Sequence, residues 1–525
     1  MLELLKAGKL EHIRRQMQEN PKDWASYASL AALLEKENGR QAYLCYENAL
    51  FYCRDEGQKA ILEERLELLR RQGCGVPAAG IVILNYNLLE DLQNCVESIR
   101  DTSPESARQI IVVDNGSVDG SVPWMREQPD IRLRANTENA GFPRGCNQGV
   151  ELADPDMDIL LLNNDIIVCA NALFWLRMGL YERDSIGCSG CVTNRAGNSQ
   201  IVYDIGLNIP AYQEYAEKNN IIQDNYLEEK IYLIGFAMLI RRTAMDRVGL
   251  LDERFSPGNY EDNDYGMRML AAGYENVLVH NSFLVHLGSK SFLKRNDYGS
   301  VVARNARFFD RIYGKDVHNF VHLDGAVETS VNLTEHLPEN ARVLGLNCGL
   351  GASLLHLQWL RPGLRVSGLT CLPAGGIYGG HYRSIDMTYY LDADHFPESC
   401  GRYDLILLQT KGLAVEDLPQ YLAYCETHLA PGGRVVLMVE NRRHFNYWLP
   451  LLMRGDTAFA VRNEGPDTGS VRKALEGSAL KVKQWYFYMA FPERDAELVK
   501  MISERLEGDK NEVYIRDHLI IAALE

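Results

Sequence analysis

The stretch Ile159-Leu-Leu-Leu-Asn-Asn-Asp165 decides how the chain is read. Its leading apolar residues neither alternate nor run long enough for a helix, so they predict a strand covered on both faces. Three polar residues follow at once, where such a strand must leave the core. The same grammar occurs upstream. Ala79–Tyr86 is an apolar run ending in Asn85-Tyr-Asn87, a helical stretch then passes through Ile99, and Ile110–Val113 closes on Asp114. Buried strands alternating with helices predict an α/β fold with a parallel sheet. Polar clusters at the strand ends put the ligand beyond its carboxyl edge.

The texture changes on either side. Residues 1–74 read as helix, with apolar positions at helical spacing through Trp24, Tyr27, Leu30, Ala31 and Leu34. Gly39 breaks the pattern, a second helix carries Tyr43, Tyr46, Ala49 and Leu50, and a third runs from Gln58 to Arg71 before Gly73 and Gly75. The helix-turn-helix of about 34 residues from Asn20-Pro21 resembles one tetratricopeptide repeat. A lone repeat buries too little surface to stand alone, so it is expected to pack on its neighbour. Downstream, Val343–Leu346, Arg365–Leu369, Tyr403–Leu408 and Arg434–Val439 read as strands, with a helix at Leu418–His428 and a turn at Pro431-Gly-Gly433. The expected organisation is multidomain α/β: a helical region 1–74, a central α/β domain 75–316 and a second α/β domain 325–525.

Composition narrows the function classes. The 525 residues hold 55 Lys plus Arg against 71 Asp plus Glu, a formal charge of −16. That balance disfavours nucleic acid as a partner, since phosphate binding must replace released counterions with Lys and Arg. Hydrophobic residues at 46% and charged ones at 24% are ordinary for a globular chain and argue against extended disorder. The twelve cysteines are scattered singly, as expected for buried thiols in a reducing compartment. Cys188-Ser-Gly-Cys191 has metal-ligand spacing but no second pair, so it reads as buried strand thiols. Met1-Leu-Glu-Leu-Leu-Lys lacks a signal-peptide pattern, and no apolar run reaches the roughly 18 residues of a membrane span. The expected location is the cytoplasm, with the inner face of the membrane as an alternative.

The chemistry gathers in the central domain. Asp114-Asn-Gly-Ser-Val-Asp119 follows a strand and offers acceptors and donors to a base and a ribose. Asn139-Ala-Gly-Phe-Pro-Arg-Gly-Cys-Asn147 opens a helix. Gly141 there allows close backbone approach, while Arg144 and the helix N-terminus favour a phosphate. Asn163-Asn164-Asp165 sets a carboxylate where a diphosphate-bound cation would sit. Glu261-Asp-Asn-Asp264 follows Pro257-Gly258 and starts a helix, and His286 closes another strand. Asp262 and Asp264 lie about 200° apart on an ideal helix, so they cannot both face one crevice. Asp264 has Arg268 four residues on as a partner.

With these stretches in order ("ILNYN", "VVDNGSVDGS", "NAGFPRGCNQG", "LLLNND", "YEDNDYGMRMLAAGY" and "HLGSKSF"), residues 79–314 resemble a family 2 glycosyltransferase of the GT-A fold, rhamnosyltransferase-like branch. The resemblance implies a nucleotide-diphosphate sugar donor, a glycan or protein acceptor bearing a hydroxyl, and Mn²⁺ or Mg²⁺ as cofactor. It makes Asp165 the metal ligand, with Asn163 in place of the motif's first Asp and His286 completing the metal shell. Asp114 would hold base or ribose and Asn85 and Asn87 would line the nucleotide pocket. Asn139, Gly141, Arg144, Asn147 and Asn164 complete the donor-site candidates, and Asp262 matches the general base. At a helix start the macrodipole is expected to keep Asp262 ionised. One base without a second nucleophile implies a single displacement with inversion.

Residues 325–525 resemble a class I S-adenosylmethionine-dependent methyltransferase through Val343-Leu-Gly-Leu-Asn-Cys-Gly-Leu-Gly351, Tyr403-Asp-Leu-Ile-Leu-Leu408 and Leu429-Ala-Pro-Gly-Gly-Arg-Val-Val-Leu437. Gly345 stands where the family has an acidic residue, Asn347 where it has a glycine, and Thr370-Cys371 where a carboxylate holds the ribose; Asp392 remains as an adenine-contacting candidate. A lost charge-assisted hydrogen bond costs about 1.5–3 kcal/mol. S-adenosylmethionine is therefore not expected as a cofactor. The alternatives are a bifunctional glycosyltransferase and methyltransferase, and a non-catalytic interaction scaffold. The oligomeric state stays open.

Overall fold

The protein is described by a computed structural model covering residues 2–203, 205–288, 298–315, 317–321, 334, 337–397, 401–440, 466–489 and 515–524. The chain divides into two units, Met1–His318 and Asn319–Glu525. The first opens with four helices, α1 (Leu2–Glu19), α2 (Trp24–Leu34), α3 (Gly39–Tyr52) and α4 (Glu56–Arg71). Asp23, Asn38 and Asp55 cap the last three by accepting the backbone N–H of Ser26, Gln41 and Gln58. The break expected at Gly39 is therefore the Asn38 cap, and Gly39 begins α3.

A strand-helix series follows: β1 (Ala79–Asn85), α5 (Leu89–Thr102), β2 (Arg108–Asp114), α6 (Ser121–Arg126), β3 (Ile131–Ala135), α7 (Phe142–Leu152) and β4 (Asp158–Asn163). Next come β5 (Ile166–Ile167), α8 (Ala172–Leu180), β6 (Ile186–Thr193), α9 (Ile209–Asn219), β7 (Leu227–Lys230), β8 (Ala237–Ile240) and α10 (Arg242–Val248). The unit closes with α11 (Glu261–Ala271), β9 (Glu275–His286) and α12 (Tyr298–Tyr313). Among the described residues the sheet runs β3-β2-β1-β4-β8-β6-β9-β5, with β7 also on β9.

The expected parallel pairing holds for β3-β2-β1-β4 and ends there, because β8 runs antiparallel to both β4 and β6. The sheet is mixed. Its register positions the site. Asn85 pairs with Asp114 and Leu84 with Asn163, so three strands end level at the topological switch point between β1 and β4. Antiparallel pairing of Ile166 with His286 brings the end of β9 back beside Asp165.

The N-terminal helices share the core of this sheet. Tyr27 meets Phe174 edge-on at 5.2 Å, and Gln41 donates to the Met178 carbonyl at 2.9 Å. Arg177 forms a buried ion pair with Glu47 and donates to the Pro77 carbonyl at 2.9 Å. Asn171 accepts from Asn48 at 3.2 Å and Tyr52 at 3.0 Å while donating to the Pro21 carbonyl at 2.8 Å. Buried polar groups matched this closely lock α2 and α3 onto α8.

The second unit contains β10 (Arg342–Leu346), α13 (Ala352–Leu360), β11 (Arg365–Thr370), α14 (Pro373–Gly379), β12 (Asp386–Tyr389), β13 (Tyr403–Gln409), α15 (Leu418–His428) and β14 (Leu429–Glu440). It ends with α16 (Thr468–Glu476), β15 (Leu480–Met489) and β16 (Ile515–Leu524). Its sheet order is β12-β11-β10-β13-β14-β16-β15, parallel through β14 and antiparallel beyond. Pro431-Gly-Gly433 is a bulge inside β14, where pairing jumps from Tyr403–Leu429 to Leu405–Arg434. Cys188 and Cys191 are buried free thiols of β6. Among the described residues no helix is long and apolar enough to cross a membrane.

Candidate active site

The ends of β1, β2 and β4 form a braced polar floor. Asn85 donates to Asp114 Oδ1 at 3.0 Å and accepts from Asn164 at 2.8 Å. Asp114 Oδ2 accepts the backbone N–H of Gly116 and Ser117 at 3.1 and 2.8 Å. Asn87, with φ of 52°, donates its backbone N–H to the Ser117 hydroxyl and accepts the Val118 N–H on its side-chain oxygen. Asn85 and Asp114 are buried here, with both carboxylate oxygens engaged, and shape the loop beyond β2.

Asp165 and His286 meet just past this floor. Asp165 Oδ1 lies 3.3 Å from His286 Nε2, and both side chains are buried. The other ring nitrogen, Nδ1, donates to the Arg195 carbonyl at 2.9 Å, which fixes the ring with Nε2 facing Asp165. Nε2 has no hydrogen-bond partner among the described residues. A buried carboxylate and an orphaned imidazole nitrogen aimed at each other fit a divalent cation. No third His, Cys, Asp or Glu joins them among the described residues. The rest of the shell would fall to ligand oxygens.

The base candidate is tied to this pair through Gly235-Phe236. The Gly235 N–H donates to Asp262 Oδ2 at 3.2 Å. The next residue stacks its ring on His286, 5.4 Å between centroids, and accepts the Asn163 N–H on its carbonyl at 2.9 Å. Asp262 is the second residue of α11, and two successive left-handed residues, Asn259 and Tyr260, precede the helix. Each such conformation costs about 1–3 kcal/mol. Asn305 of α12 holds that turn by donating to the Phe255, Gly258 and Asn259 carbonyls at 2.7–3.0 Å.

The electrostatics differ from the sequence expectation. The helix terminus was expected to keep Asp262 ionised. Burial instead raises its pKa, outweighing the N–H bonds from Gly235 and Asn263. Burial and then the Asp262 charge push Glu261 well above the usual carboxyl range, and its Oε2 is buried without a partner among the described residues. Asp264 faces elsewhere, bonded to Arg268 at 2.8 Å and to the Tyr313 hydroxyl at 2.7 Å.

The glycine-rich stretch before α7 joins the same crevice. Asn139 accepts the Gly141 N–H at 2.9 Å, and the Phe142 N–H donates to the Pro257 carbonyl at 2.9 Å. Gly141 has φ of +84°, and a Cβ on it would stand 2.3 Å from Ser256 Oγ and 3.1 Å from Pro257 Cα, so any other residue would be strained there. Arg144 is exposed at the start of α7. Asn147 spends its amide on Leu251 and Glu253, clamping the segment beyond α10. Of the closing motif, His286-Leu-Gly288 is described and 289–292 lie outside the described residues.

Residues 80–249 match glycosyl transferase family 2. That stretch is 170 of the 525 residues and contains the floor, Asp165 and Gly235-Phe236. The uncharacterized protein y4gI of Sinorhizobium fredii is 27% identical over 232 residues, 41% of this chain but 25% of that protein. The chain thus spans a quarter of that relative's length. Glycosyltransferase AglE of Haloferax volcanii is 23% identical over 216 residues, 40% of this chain and 67% of that protein. Among solved structures, the mannosyltransferase PcManGT from Pyrobaculum calidifontis in complex with GDP-Man and Mn²⁺ is 17% identical. It has a TM-score of 0.34 over 45% of this chain and 63% of its own. A TehB-like SAM-dependent methyltransferase from Corynebacterium glutamicum is 15% identical with a TM-score of 0.27, over 44% of this chain and 100% of its own.

Sequence reasoning did not single out Asn194, Gly235 or Phe236. Asn194 brackets His286, accepting its N–H at 2.7 Å and donating to its carbonyl at 3.1 Å. None of the three lies within the motifs quoted above, and only the fold brings Asn194 and Phe236 to His286 and Gly235 to Asp262. In the second unit, the ends of the corresponding strands are tied to one another and closely packed. Asn347, with φ of 56°, donates to the Gln409 and Lys411 carbonyls at 2.8 and 3.0 Å and so stitches the end of β10 to that of β13. A Cβ on Gly345 would stand 2.6 Å from Leu354, and one on Gly349 2.6 Å from Phe320. Thr370 is buried and turned to the Leu372 N–H at 3.1 Å, while Asp392 is exposed and bonded to His395 at 2.6 Å.

Proposed function

We propose that the protein is an inverting, divalent-metal-dependent glycosyltransferase of the GT-A type, moving a sugar from a nucleotide-diphosphate donor to a hydroxyl acceptor. The observation that carries this reading is the buried Asp165–His286 pair, 3.3 Å apart, with Nε2 making no hydrogen bond among the described residues. The family 2 match over 80–249 and the alignment with a relative named a glycosyltransferase support it. Mn²⁺ or Mg²⁺ held there by Asp165 and His286 would neutralise charge developing on the leaving diphosphate. The chain's own residues supply the rest. Asp262 takes the acceptor's hydroxyl proton while that oxygen bonds to the anomeric carbon and the bond from that carbon to the diphosphate breaks, inverting the centre. A carboxyl whose pKa is raised by burial is a better proton acceptor than an ordinary one once ionised. Arg144, Gly141 and Asn139 would meet the phosphates at the start of α7, and the Asn85–Asp114–Asn87 floor the nucleoside.

The second unit is read as a methyltransferase-like fold without its cofactor, because Asn347 is spent on Gln409 and Lys411, Leu354 and Phe320 crowd Gly345 and Gly349, and Thr370 stands where a carboxylate would hold the ribose. The acceptor class is a surface polysaccharide, a lipid-linked glycan or a protein, with the cytoplasm and the inner membrane face as the places where such acceptors are met. The test is nucleoside diphosphate release from UDP-hexose, UDP-N-acetylhexosamine and dTDP-rhamnose. Release that stops with EDTA and in Asp165→Ala is expected; release that survives both removes the metal from the reading.

A further inference from the structure

Among the charged side chains around the crevice, Arg195 has no assigned task. We propose that its guanidinium is a cationic contact for the donor's diphosphate, beside the Asp165–His286 pair. The inference rests on the donor reading given above. Arg195 follows β6, and its backbone is pinned at the site because its carbonyl accepts His286 Nδ1–H at 2.9 Å. The neighbouring Asn194 holds both backbone groups of His286, so the segment cannot drift from it.

The side chain then lies across Gly288, two residues beyond His286. A Cβ built on Gly288 would stand 2.5 Å from Arg195 Nη1 and 2.9 Å from Cζ, and Gly288 has φ of +100°. Glycine at 288 thus leaves the guanidinium its place. Arg195 is exposed and pairs with no carboxylate among the described residues. Arg177, Arg183 and Arg268 are spent on Glu47, Glu275 and Asp264, which leaves Arg195 beside the Asp165–His286 pair as a cation additional to Arg144 at the start of α7. Meanwhile the crevice carries the carboxyl groups of Asp114, Asp165, Glu261 and Asp262. A diphosphate entering it adds negative charge and needs a fixed cation besides a metal. A guanidinium suits this task, since its planar fork of N–H donors matches phosphate oxygens. As the bond to the sugar breaks, charge grows on the departing phosphate, so the contact strengthens toward the transition state.

The test is calorimetric titration of UDP, GDP and dTDP into the full chain with Mn²⁺, for wild type, Arg195→Ala, Arg195→Lys and Gly288→Ala. For whichever diphosphate wild type binds, Arg195→Ala should weaken binding about ten- to a hundredfold and flatten its salt dependence. Arg195→Lys should restore part of the loss, and Gly288→Ala should weaken binding with Arg195 still present. Mn²⁺ affinity, read by its paramagnetic resonance signal, should be unchanged in Arg195→Ala, because the carbonyl that holds His286 remains. Equal binding and equal salt slope in wild type and Arg195→Ala would overturn the assignment. So would loss of Mn²⁺ binding in that variant, which would mean that it acts through His286. If wild type binds none of the three diphosphates, the donor reading itself fails.

Discussion

The two units begin their sheets alike and end their strands differently. Strands β3-β2-β1-β4 in the first and β12-β11-β10-β13 in the second share one order, each with a switch point where a ligand crevice belongs. At the first, Asp114, Asn164 and Asp165 stand at the strand ends, and His286 Nε2 has no hydrogen-bond partner among the described residues. At the second, Asn347 ties two strand ends together, and Leu354 and Phe320 fill the space beside the glycines. Architecture therefore offers a crevice, but only unspent polar atoms make it a site.

The strongest blow to this contrast would come from Asp262. Asp262→Asn keeps shape and removes basicity, so turnover should fall about two to four decades with donor binding nearly unchanged. Rate and binding measured together check both halves; near-normal turnover would leave the first crevice without its base. The second unit is tested by titrating S-adenosylmethionine into the full chain. No saturable heat is expected, and a micromolar dissociation constant would erase the contrast.

Asp264 sharpens the first crevice from the other side. Its bonds to Arg268 and Tyr313 make it structural, so Asp264→Asn should cost about 1–3 kcal/mol in chemical denaturation and leave kcat largely intact. The smallest effect concerns Glu261, whose folded pKa lies above its ordinary value of 4.5. A raised carboxyl pKa contributes stability that is fully present below the unfolded pKa and is lost as pH rises through the folded one. Glu261→Gln does not titrate, so its Tm should gain on wild type between pH 5 and pH 8. A constant difference would mean that Glu261 is not buried as a neutral acid.

How much of this was legible follows from how each strand meets its surroundings. β1, β2 and β4 are apolar runs between helices, and their ends could be read from Asn85, Asp114 and Asn163. β9 hides itself, because its interior holds Asn276, Asn281 and Ser282. These are buried by donating to the Ile231, Ile221 and Ala172 carbonyls, partners that no local pattern announces. The antiparallel β8 was missed for the same reason that the sheet was expected to be parallel: strand direction is set by tertiary pairing. Asp165, Asp262 and His286 came from motif order, while Asn194 and Phe236 act through contacts made only once the chain has folded. Asn147 lay within a motif, yet its amide clamps Leu251.

The shared core of the helical region and the sheet has a consequence for synthesis. Besides α2 and α4, α3 has buried partners on α8, Met178 for Gln41 and Cys45 and Arg177 for Glu47, and the first residue of α8, Ala172, follows Tyr52 by 120 positions. At about 5–20 residues per second, the ribosome needs roughly 6–24 s to deliver it. During that interval Gln41, Cys45 and Glu47, buried in the finished protein, lack their partners Met178 and Arg177. The opening helices should therefore be held by chaperones on the nascent chain until α8 emerges. A separately expressed 1–74 fragment is expected to aggregate or remain partly folded.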